Sequence, residues 1–194
     1  QLRQVGLLFI ALGFMAMGGL FATHALATPG IIVQGTLDDY GGTVLGVSAF
    51  LSLFVPSVFF ALAYSPLATG ERSGFRPVVL VLLLAVLLVA YAVLSLSRPT
   101  LVAGLPLSAP PGSLALAGAA VLMLGYAGWM QARSFLATRL PMQGALVAAY
   151  LLLAEAQLFM VLAPGWTLAW WEYHLLMLLA TIIAVVALFV ELDR

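Results

Sequence analysis

The stretch PVVLVLLLAVLLVAYAVLSLS, residues 77 to 97, holds no charged or amide side chain in 21 consecutive positions. Coiled as an α-helix it is about 31 Å long, close to the ~30 Å of hydrocarbon in a bilayer. It has no polar face to turn toward water, so it is read as a membrane span. Five more runs have this character, at about 5–27, 43–64, 113–133, 142–163 and 168–190. Between them lie breaks rich in turn residues: TPG and DDYGG, SPLATGERSGFRP, SRPT with APPG, RLP, and APGW. The expected fold is all-α and polytopic, a single domain over residues 1–194 with six transmembrane helices.

Composition agrees. The 194 residues are 64% hydrophobic and 7% charged, where a soluble domain carries roughly 25% charged residues to hydrate its surface. The net charge is zero, so no field draws the chain to nucleic acid, and the bilayer is its first partner. Lysine and cysteine are both absent, which removes Schiff-base chemistry, thiolate ligands, disulfides and cysteine nucleophiles. The first run is longer than the 7–15-residue apolar core of a secretory signal, and it is read as a retained span. A start at Gln1 and a stop at Arg194 are what a processed chain, or a piece of a longer one, would show.

Arginine sets the expected orientation. Arg3, Arg72, Arg76, Arg133, Arg139 and Arg194 fall at the termini and in the second and fourth connections, and only Arg98 falls on the other side. Positively charged flanks stay in the cytoplasm, so both termini are expected there, in a bacterial inner membrane. Trp166, Trp170 and Trp171 then sit at the outer interface, as an aromatic belt would.

With that orientation the polar groups gather in the outer half. At 1.5 Å per residue His24 lies about 5 Å inside the outer end of the first span, His174 about 9 Å inside that of the sixth, and Glu155 about 12 Å inside that of the fifth. Ser48, Ser52, Tyr91, Ser95, Gln157 and Glu172 share this half. Ionisable groups at such depth are costly and face a cavity or a partner, so Glu155 is expected to point inward. His24 is expected to be close enough to the interface to be solvated and to face a partner across the bundle. His174 and Glu172 stand about 200° apart on their helix, so His174 is assigned to the bundle and Glu172 to the headgroups. In the first span Ala11, Gly18, Ala22 and Ala25 line one face, which is assigned to ordinary packing within the bundle.

These residues define a candidate ligand site of His24, Glu155, His174, Tyr91, Ser52 and Gln157. Within it His24, His174 and Glu155 are the candidate metal ligands. The two imidazoles also suit the axial positions of a haem, with Gly18 and Gly19 leaving room for the macrocycle. No HExxH, CxxCH or glycine-rich phosphate loop occurs, and no nucleophile–base pair can be read, so the chain is not expected to be an enzyme by itself.

The stretch FATHALATPG at the outer end of the first span resembles multi-helix membrane regions that precede cyclase or kinase domains in bacterial signalling proteins. That resemblance implies a sensory or anchoring role ahead of a cytoplasmic output domain, in a homodimer or a larger membrane complex. The alternative is a haem- or metal-binding subunit of a redox complex. A small-solute transporter ranks third, because the inner half offers no polar path and the two halves of the chain do not look alike.

Overall fold

The computed structural model describes residues 2–28, 31–32, 41–69, 76–162 and 167–192. Regular structure among them is helical throughout: α1 (Leu2–Leu26), α2 (Gly41–Leu62), α3 (Pro66–Thr69), α4 (Pro77–Ser97), α5 (Pro99–Ala103), α6 (Gly112–Thr138), α7 (Pro141–Leu162) and α8 (Leu168–Leu192). Six of these are long and apolar enough to cross a membrane, and they coincide with the six apolar runs. Proline opens α3, α4, α5 and α7, at a position where the missing N–H would have no helical acceptor. The short helices α3 and α5 lie in connections that hydrophobic periodicity does not announce. The fourth span is also longer than its apolar run, continuing past the exposed Arg133 to Thr138. Arginine is a good helix former and its long stem reaches water, so it does not end the helix. The end comes at Arg139, which has a left-handed φ of 57° and whose N–H bonds the Phe135 carbonyl at 2.7 Å.

The contacts divide the chain into two units, Gln1–Leu116 and Ala117–Arg194. In the first, α1 packs along α2 and also touches α3 and α4, while α5 closes against α2 and α4. Gly13 allows the α1–α2 approach, because a Cβ there would lie 2.4 Å from the Phe60 ring. Apolar clusters hold the two ends of this unit. Phe9, Leu12 and Ala16 meet Ala63, Ala68 and Leu84 at one, and Ala27, Val44, Val47 and Val102 meet at the other. The packing face of α1 is Leu12, Ala16, Leu20 and Thr23. The small-residue face expected to pack is turned outward instead, with Ala11, Gly18 and Ala22 all exposed. In a helix apolar on every side, small residues do not by themselves mark the contact.

Pro56 lies inside α2, which continues past it, and the nearby Ser52 and Ser57 hydroxyls donate to the carbonyls of Ala49 and Phe54 at 2.7 and 2.6 Å.

In the second unit α7 packs chiefly on α8. The buried stripe of α7 is Gln143, Leu146, Ala149, Tyr150, Leu153, Ala156 and Gln157, a run at helical spacing. It is matched on α8 by Tyr173, Met177 and Ala180. α6 meets α7 where small residues permit, with the Gly144 Cβ position 3.1 Å from the Phe135 ring.

Candidate functional site

His24 stands two residues before the end of α1. It is buried, with 4% of its surface exposed, so its surroundings are protein rather than the interfacial water expected for it. Its ring stacks on Phe21 at 5.3 Å between centroids, and Nδ1 lies 2.9 Å from the Leu45 carbonyl of α2. A carbonyl only accepts, so Nδ1 carries the hydrogen, and in the neutral ring the lone pair is on Nε2. One turn further along α2, the Ser48 hydroxyl meets the Tyr91 hydroxyl of α4 at 2.8 Å. One turn beyond Tyr91 on the same face lies Ser95, which is 1% exposed. Its Oγ has no hydrogen-bond partner.

These groups occupy one end of the first unit. α1 and α4 touch where the Gly19 Cβ position is 2.7 Å from Leu88. From there His24 is five residues on and Ser95 seven, so their levels differ by about 3 Å. Of the two glycines assigned to a macrocycle, Gly19 has its space filled by the Leu88 side chain, whereas a Cβ on Gly18 would meet nothing within 4 Å. Ser52 belongs to this end too, but its hydroxyl hydrogen is committed to Ala49.

In the second unit the residues sort differently from the expectation. Glu155 is exposed, and Gln157 is the buried polar residue of this part of α7. The two are 200° apart around the helix, and the apolar stripe that ends in Leu153 and Ala156 continues into Gln157. Neither Nε2 nor Oε1 of Gln157 has a hydrogen-bond partner. His174 is half-buried, and its Nδ1 lies 3.3 Å from the Trp170 carbonyl one turn back. It sits among aromatic rings, with centroids 3.9 Å from Tyr173, 4.6 Å from Trp170 and 5.3 Å from Trp171. Glu172 is exposed. Trp166, Asp38, Asp39, Arg72 and Arg194 lie outside the described residues, as does the side chain of Arg3.

Among the described residues no three His, Asp or Glu side chains come together to hold an ion. Of the candidate metal ligands, His24 belongs to the first unit and Glu155 and His174 to the second, where Glu155 is exposed and His174 half-buried. Sequence reasoning passed over two partners. The Leu45 carbonyl has no side-chain signature at all. Tyr173 had one, its spacing of i, i+4, i+7 with Met177 and Ala180.

No protein family, curated protein or solved structure matches this chain. The class is defined by the fold alone: six helices of spanning length and apolar composition, the construction of a multi-pass membrane protein.

Proposed function

We propose that the chain is a sensory or anchoring module of a bacterial inner membrane, which binds a small polar ligand in the first unit and works with a cytoplasmic output domain. The observation that carries this reading is the Ser95 hydroxyl, buried without a partner at the level of His24 and the Ser48–Tyr91 pair. An unmet buried hydroxyl costs about 1–3 kcal/mol and calls for a compensating role. A ligand that bonds Ser95 and competes for the Ser48–Tyr91 bond would favour one packing of α4 on α2 over another, which is all that a signal requires. Imidazole nitrogen, three hydroxyls and helix carbonyls suit a small neutral or cationic solute arriving from the outer side.

The test is thermal unfolding of the detergent-purified protein against a panel of small polyols, amines and divalent cations, with Ser95→Ala alongside. A compound that raises the wild-type Tm by several degrees and leaves the variant unmoved supports the reading. A panel that shifts both proteins alike, or neither, overturns it.

One observation favours a second reading, haem or metal ligation. Both histidines hold Nδ1 on a backbone carbonyl, the arrangement that orients Nε2 toward a metal. A visible spectrum with a Soret band that vanishes in His24→Ala or His174→Ala would put this reading first.

A further inference from the structure

Gln157 is the sharpest anomaly of the second unit. Its side chain is 0% exposed, both polar atoms of its amide lack partners, and no arginine or lysine lies between Arg139 and Arg194. It stands five residues before the end of α7 at Leu162, and Tyr173 stands five residues after the start of α8 at Leu168. The two helices are consecutive and packed together, so both residues lie about 7.5 Å from the connected ends, at one level. Tyr173 is itself 1% exposed, and beside it are the rings of Trp170 and His174. An amide with donor and acceptor both unmet therefore faces a contact between α7 and α8 whose other wall is aromatic.

We propose that Gln157 is the head-group contact of a binding site between α7 and α8 for a lipophilic molecule bearing a donor beside an acceptor, namely a protonated carboxylic acid. The acid O–H donates to Oε1, its carbonyl accepts from Nε2–H, and the cyclic pair satisfies both atoms at once. An ionised carboxylate would find no arginine or lysine on either helix, its charge would be costly to bury in hydrocarbon, and the one base beside Tyr173, His174, holds its Nδ1 on the Trp170 carbonyl. A quinone offers only acceptors and leaves Oε1 unmet. Gln157 has no exposed surface in the closed contact, so a ligand reaches it only as α7 and α8 part, by far less for a head group than for a second copy of the chain. The acyl tail lies in the surrounding lipid, against α7 where Leu158, next to Gln157 in the chain, is exposed. This site lies wholly in the second unit and does not depend on the first-unit pocket.

The experiment uses the whole chain in phosphatidylcholine nanodiscs with oleic acid carrying carbon-13 at the carboxyl, read by NMR. The expected result is a bound resonance at the position of a protonated acid, saturating at one per chain and absent in Gln157→Leu. Methyl oleate, which has no O–H, is expected to displace the acid at least tenfold less effectively than unlabelled oleic acid. A parallel arm with labelled butyric acid separates the sources. Saturation by oleic acid alone identifies a bilayer ligand, and saturation by butyric acid identifies an aqueous one with the same head group. Three results overturn the proposal: no bound resonance with either acid, a resonance that survives in Gln157→Leu, or equal displacement by the ester. The leucine variant is expected to fold, because it removes only unpartnered atoms at similar volume. If it does not, Gln157→Met gives the same comparison with an unbranched chain.

Discussion

At the residue scale, glycines near the start of α6 show how little a residue's identity reveals without its neighbours. Gly112 and Gly118 are six positions apart in one helix. A Cβ on Gly112 would fall 1.8 Å from the Pro106 carbonyl oxygen, a backbone atom, whereas one on Gly118 meets nothing within 4 Å. Gly112→Ala is therefore expected to destabilise by about 2 kcal/mol or more, through forced displacement of the 106–112 connection. Gly118→Ala is expected to stabilise by about 0.5–1 kcal/mol, the helix-propensity difference alone. Thermal unfolding of both variants in one detergent checks the pair, and effects of the same sign would contradict the packing described. Nothing in the sequence separates these glycines. The same holds for Glu155 and Gln157, where the rarity of charge pointed to Glu155 and the helix turned Gln157 inward. Chemistry made Glu155 conspicuous; rotation about the helix axis decides which side chain is buried.

Among the elements, α2 and α4 are joined by a specific polar contact, Ser48 to Tyr91. Both residues could be placed at matching levels of their helices from their positions in the sequence, since level follows from the rise per residue. Their pairing could not, because it depends on how α2 and α4 are rotated toward each other. A double-mutant cycle with Ser48→Ala and Tyr91→Phe isolates the bond from the packing of the rings. A coupling of about 0.5–1.5 kcal/mol is expected, the range of interhelical hydrogen bonds in membrane proteins. A coupling near zero would mean that the two hydroxyls act independently and that the α2–α4 contact rests on apolar packing. The cycle also bears on the ligand reading, since a solute that replaces this bond should abolish the coupling when bound.

Across the whole molecule, the arginine distribution predicts which connections face the cytoplasm. A chain without cysteine suits that question, because each introduced thiol is the sole target of a label. Thr100, exposed after α4, and Thr138, exposed at the end of α6, lie in connections expected on opposite sides. In intact spheroplasts an impermeant maleimide should label Thr100→Cys and spare Thr138→Cys until the membrane is opened. The reverse pattern would invert the orientation and place the His24 end in the cytoplasm.

What the sequence determined by itself is the number of helices long and apolar enough to span a membrane, their limits to within a few residues, and the position of each polar group along its helix. These follow from one dimension, the length of uninterrupted apolar chain against the thickness of hydrocarbon. The tertiary structure decided the second coordinate, rotation. In a soluble protein the contrast of polar and apolar faces writes that rotation into the sequence. Here lipid and core are equally apolar, so Ala11 and Ala16 of α1 look alike although one is exposed and the other buried. Only packing distinguishes them, and with them the burial of His24, the outward turn of Glu155 and the unmet amide of Gln157.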